Sequence, residues 1–147
     1  MIGMEIESAA RLALKRTGEP MPTREYWIEP SVLGTSWTQP LSAAELATCF
    51  QTLTAMIDSK KHDVAVLFDI REAKTIPAQA PVLAIRSRFL TRANTGKIAV
   101  VSTDVIAQIL AEVASSVTRR EILFFPLYET ALDYLKKEAE KPAAQGG

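Results

Sequence analysis

The sequence predicts a single α/β domain, a mixed sheet of about five strands flanked by helices. Two runs, "VAVLFDI" from Val64 and "KIAVVST" from Lys97, are apolar almost without interruption, the pattern of strands covered on both faces. Amphipathic segments with helical spacing alternate with them, and that alternation implies parallel strands joined by right-handed crossovers. The chain of 147 residues, 48% hydrophobic and 23% charged, has the size and composition of one globular domain with a substantial core.

Residues 1–20 read as an N-terminal extension. Ile6, Ala9, Ala10, Ala13 and Leu14 follow helical spacing, and Gly18 and Pro20 are stop signals, so a short helix is expected there. The domain occupies 21–140. "TREYWIEP" and "SVLGTSWTQ" are short, aromatic and β-branched, and form a hairpin around Pro30 and Ser31. Ser42 with Glu45 is a capping box, and Leu46, Phe50, Leu53 and Ile57 then line one helix face. Lys60, Lys61 and His62 close that segment, where a helix end favours positive charge.

After the strand at Val64, "APVLAIRSRFLTRAN" predicts one helix with Val82, Ile85, Phe89 and Leu90 inward, left at Asn94 and Gly96. "DVIAQILAEVASSV" predicts the next, with Ile106, Ile109, Leu110, Val113 and Val117 inward. "EILFFPL" is the last strand, and "YETALDYLKKEAE" a last helix burying Ala131, Leu132 and Leu135. Residues 141–147 read as a flexible tail. The expected core includes Val66, Phe68, Ile98, Val100, Ile109 and Phe124.

Zero formal net charge argues against nucleic acid as the main partner, since phosphate binding requires a basic excess. The one cysteine, Cys49, excludes an intrachain disulfide and fits a reducing cytoplasm. No apolar run approaches the roughly 20 residues of a membrane span, and the N-terminus lacks the features of a signal peptide. His62 is the one histidine, so a Ser-His-acid or Cys-His pair has to use it, and its place in "SKKHD" is that of a solvated helix end. No His, Cys and carboxylate cluster has metal-ligand spacing, and glycine-rich phosphate loops are missing. Neither a metal nor a cofactor is expected. Arg86, Arg88, Arg92 and Lys97 form the densest basic stretch, read as a solvated helix face or an acidic-partner site. Tyr26, Trp27, Ile28 and Trp37 are bulky for a sheet edge, which points either to a two-fold homodimer through the hairpin or to residues 1–20 folding back over that edge.

"KIAVVSTDVIAQILAEVASSV" followed by "REILFFPLYETALDYLKK" resembles the C-terminal half of SpoIIAA-like proteins, a branch of the STAS-like superfamily. Lys97 leads the strand, and Ala131, Leu132, Tyr134 and Leu135 supply the family's last-helix pattern; "VAVLFDIREA" stands where its central strand ends in Asp. The likeness covers roughly 24–137 and rests mostly on core residues. It implies a STAS-like fold and a non-enzymatic protein-interaction module in signalling or stress regulation. Classical anti-sigma factor antagonists of the superfamily carry an Asp-Ser-Ser-Gly-like phosphosite in the loop after that strand. Here the loop reads "DIREAKTIPAQAPVL", and Thr75 is its only hydroxyl.

In open parallel sheets, loops at the carboxyl ends of the strands converge with helix N-termini. Asp69, Arg71, Lys74, Thr75, Ser102, Thr103 and Tyr128 fall there and form the candidate binding rim. Asp69 is a general base or the anchor of its loop, pairing with Arg71 or Lys74. Ser102 and Thr103 either hold an anion with the helix amides or simply cap the helix. Three readings follow: an interaction module, a carrier for a small anionic or lipid-like ligand, and last an enzyme, for which no paired acid–base or nucleophile set is present. A closed apolar cavity favours the carrier, and an exposed apolar patch the module.

Overall fold

The computed structural model describes residues 22–39 and 41–140. The expected helix in 1–20 and the tail 141–147 lie outside the described residues. Strands β1 (Thr23–Glu29) and β2 (Val32–Trp37) form the hairpin, turning at Pro30 and Ser31. Helix α1 (Ala43–Asp58) follows, then β3 (Val64–Asp69), α2 (Ala80–Ser87), β4 (Thr95–Val101), α3 (Val105–Thr118), β5 (Ile122–Phe125) and α4 (Tyr128–Ala139). The sheet order is β1-β2-β3-β4-β5, with β1 antiparallel to β2 and every other pair parallel.

Because each crossover advances one strand in the same direction, right-handed connections carry α1, α2 and α3 to one face. Helix α4 follows the last strand and covers the other. The larger core lies under α1, α2 and α3 and is built around aromatic rings. Trp37 meets Phe68 edge-on at 5.6 Å, and Phe50 stacks on Phe89 at 5.4 Å. On the opposite face Ala131 and Leu135 of α4 pack on Val32, Ala65, Leu67, Ala99 and Val101.

The capping box forms as expected. The Ser42 hydroxyl accepts from the Glu45 amide at 3.2 Å, and the Glu45 carboxylate accepts from the Ser42 amide at 2.9 Å. Asn94 ties the far end of α1 to the start of β4: its side-chain amide reaches the carbonyls of Ile57, Lys60 and His62. Lys60 lies 4.8 Å over the Trp27 ring, so this edge aromatic has a partner within the chain.

Two helices depart from the expected pattern. The segment 80–94 is not one helix: α2 ends at Ser87, Arg88 adopts a left-handed conformation at φ 63°, and Phe89–Thr91 form a 3₁₀ turn. An unbroken helix would place positions 82 and 89 on one face. The left-handed residue turns the chain so that Phe89 and Leu90 both enter the core, while Val82 stays exposed.

The second departure is α3. Ile106, Ile109, Val113 and Val117 point outward at 58%, 49%, 46% and 63% exposure, and Ala107 and Ala114 are the buried residues. Ile109 is therefore not a core residue. The sequence offers two apolar arcs, one bulky and one of small residues, about a quarter turn apart. The small arc seats the helix, because alanines permit close approach to the sheet and α2. Phe124 is half-buried, since β5 is an edge strand. The basic stretch does not gather into one patch: Arg92 pairs with Asp58 at 3.0 Å, and Lys97 approaches Glu121 at 3.9 Å.

Candidate functional site

Strand register places the site. One row of side chains crosses the sheet on the α4 face at its carboxyl edge: Arg24, Ser36, Asp69, Val101 and Phe125. The antiparallel hairpin brings the first residues of β1 beside the last residues of β2, so Arg24 reaches this edge. Next to it, Gly34 leaves room for the Tyr26 ring, because a Cβ there would lie 2.8 Å from Tyr26 and from Ile28. The Tyr26 hydroxyl consequently reaches Ser36 Oγ at 2.9 Å.

Asp69 ends β3 and is held from both sides. Arg71 Nε donates to one carboxylate oxygen and Nη2 to the other, each at 2.8 Å. The guanidinium also lies 5.5 Å from the centre of the Tyr128 ring, on the first turn of α4. Half of the Arg71 side chain stays accessible. Its bond to Asp69 raises an already high pKa, so the charge is permanent. Burial raises the Tyr128 phenol above its ordinary value, with nearby Tyr26 and Asp69 adding to the shift. A polar cleft of about 150 Å³ opens beside this group, lined by Arg24, Ser36, Trp37, Thr38, Asp69 and Glu72.

The other expected site residues lie apart from this cluster. Ile70 and Ala73 anchor the loop after β3 in the core, leaving Arg71, Glu72, Lys74 and Thr75 facing outward. The Thr75 carbonyl accepts from the Gln39 side chain at 3.1 Å. Ser102 is buried, and its hydroxyl accepts from the Asp104 amide at 3.0 Å. Thr103 is exposed. The cap of α3 is neither of these: the Asp104 carboxylate accepts from the Ile106 amide at 2.9 Å. This puts a negative charge where an anion would have to bind. Among the described residues, no hydrogen bond or ion pair joins Ser102, Thr103 or Lys74 to the Asp69 cluster.

Arg24, Tyr26 and Ser36 were not anticipated at this edge, whereas Glu72 and Leu127 lie within the loop 69–75 and the segment 126–129 that the sequence places at the strand ends. The signal for the first three was present, since hairpin pairing alone aligns Arg24 with Ser36. Leu127, just before Tyr128, is 60% exposed, an apolar residue beside the Arg71–Tyr128 pair.

Among the described residues no group of His, Cys, Asp and Glu is placed to hold a metal, and no helix is long and apolar enough to cross a membrane. A mixed sheet, parallel from β2 to β5, with three helices on one face and one on the other, defines a single-domain α/β protein with its polar rim at the strand ends. Residues 32–136 match the family model described as SpoIIAA-like, and the chain belongs to that family. Among curated proteins and solved structures, no match to the chain was found.

Proposed function

We propose that the protein is a non-enzymatic, STAS-type interaction module that binds an acidic protein partner through the rim at the strand ends. One observation carries this reading. The rim's acid is spent on immobilising an arginine, which is held against a tyrosine and half exposed. Arg and Tyr are the residue types that dominate binding energy at interfaces, and a guanidinium already fixed in place loses little entropy on binding. Exposed Leu127 adds an apolar contact beside the charge. With both oxygens of Asp69 occupied, a base role there is disfavoured. Thr75 lies in the same outward-facing loop, and phosphate on it would bring close to two negative charges near Arg71 and Lys74, masking them from an acidic partner.

The test is a quantitative pull-down comparing wild type with Arg71→Ala and Thr75→Glu. Arg71→Ala is expected to weaken capture at least tenfold. Unchanged binding in both variants removes the rim as the interface.

A second reading, an apolar-ligand carrier, is supported by a cavity between the sheet and helices α2 and α3. It is walled by Trp37, Phe68, Phe89, Ile98, Leu110 and Ala114 among others. Its volume of about 70 Å³ is well below the roughly 300–1,000 Å³ of small-molecule sites. Fluorescence from Trp37, on the cavity wall, distinguishes the two: a saturable change on adding a fatty acid favours the carrier.

A further inference from the structure

Helix α3 seats itself on alanines and turns its bulkiest residues to solvent. Ile106, Ile109, Val113 and Val117 recur at spacings of three, four and four residues, so they form one narrow stripe along the helix. Val82 of α2, also half exposed, lies on the helix next to it. A contiguous apolar surface of this kind marks an interaction site.

Charge along α3 indicates what covers it. Asp104 stands at the N-terminal end, and Arg119 caps the C-terminal end in a left-handed conformation at φ 58°. Arg119 is exposed and forms no ion pair among the described residues. If two copies of α3 lie antiparallel about a two-fold axis near positions 111 and 112, Ile106 faces Val117 of the other copy. Ile109 then faces Val113, and Asp104 faces Arg119. The same arrangement sets each helix N-terminus beside the other's C-terminus, which the helix dipoles favour. A parallel pair would instead bring Asp104 to Asp104 and Arg119 to Arg119. The stripe is thus self-complementary in one orientation, as a two-fold interface requires.

We infer that α3 is a self-association surface, pairing two copies of this chain through antiparallel packing of the Ile106–Ile109–Val113–Val117 stripe. It is separate from the Arg71–Tyr128 rim and does not depend on the reading of that rim. It also moves the expected two-fold contact away from the hairpin, where Trp27 already packs under Lys60. A helix of this length is about 21 Å long and 10–12 Å across, so the pair covers far less than the roughly 1,200 Å² of a stable interface. The dimer is accordingly weak, with dissociation in the micromolar range.

The experiment is sedimentation equilibrium of the full chain from low to high micromolar concentration, with circular dichroism as the check on folding. Wild type is expected to move from monomer to dimer across this range, and a species that stays monomeric throughout overturns the inference. Ile109→Glu and Val113→Lys alter exposed residues, so each should remain folded and stay monomeric. Mixed together they should dimerise again, because antiparallel pairing sets the introduced carboxylate of one chain against the introduced ammonium of the other. Failure of the mixture to associate, or dimers formed by either variant alone, overturns the antiparallel stripe. Asp104→Asn keeps the helix cap but removes the charge, and should weaken the wild-type dimer severalfold at low salt.

Discussion

Replacing Phe68 by alanine removes the ring at the centre of the larger core. Phe68 is almost fully buried and meets Trp37 edge-on at 5.6 Å and Phe89 at 5.8 Å. Truncating a buried phenylalanine typically costs about 3–5 kcal/mol through lost transfer energy and the cavity left behind. Two features place this site near the upper end. Each aromatic pair is worth about 0.5–1.5 kcal/mol beyond its buried area. The hole also opens into an existing void of about 70 Å³, so it enlarges a cavity already lined by apolar side chains. The expected loss is about 4–5 kcal/mol, a large share of the roughly 5–15 kcal/mol that holds a domain folded. Urea denaturation followed by tryptophan fluorescence measures it, as a lower midpoint with an unchanged slope. The paired control is Ile109→Ala in dilute protein, where an exposed site should shift stability by no more than about 0.5 kcal/mol. A Phe68→Ala loss under about 1 kcal/mol, or an Ile109→Ala loss of equal size, would refute the packing described here.

Cys49 is fully buried beneath β2, and burial pushes its thiol well above the ordinary value of 9.0. It should resist a thiol reagent in the native protein and react fully in denaturant; rapid native labelling would contradict that burial. Tyr128 is shifted in the same direction from 10.0. Both groups hold their protons more firmly folded than unfolded, so the stability they contribute is complete below pH 9 and declines as pH rises past these values. Spectrophotometric titration should show a phenol ionising late in wild type and later still in Arg71→Ala, because the guanidinium lowers the phenol's pKa. Ser42→Ala removes one half of the capping box and should cost about 1 kcal/mol in thermal or urea unfolding.

The elements that were legible in the sequence are those with a single physical solution. "VAVLFDI" is apolar on both faces and can only be an inner strand, and Ser42 with Glu45 states a helix start directly. Helix α3 was not legible in the same way. Its apolar residues fill two arcs, and periodicity cannot decide whether the bulky arc or the alanine arc faces the sheet. The break at Arg88 carries no sequence signal, because an arginine, rather than glycine or asparagine, holds the left-handed position. At the rim, the pairing of Asp69 with Arg71 was among the readings available from their spacing. Its link to Tyr128 depends on α4 crossing to the opposite face, which no local pattern encodes. Ser102, Thr103 and Asp104 are all residue types that cap helices, so the sequence alone does not single out Asp104.

Native mass spectrometry of the chain purified from its own cells distinguishes a domain that works by contact with another protein, as proposed, from one that carries a small molecule. An interaction module should appear as a stoichiometric protein complex that releases the chain with no retained small molecule, and that Arg71→Ala dissociates. A chain isolated without any protein partner but with an apolar molecule bound one to one would contradict that reading, and would place the function in the cavity beneath α2 and α3.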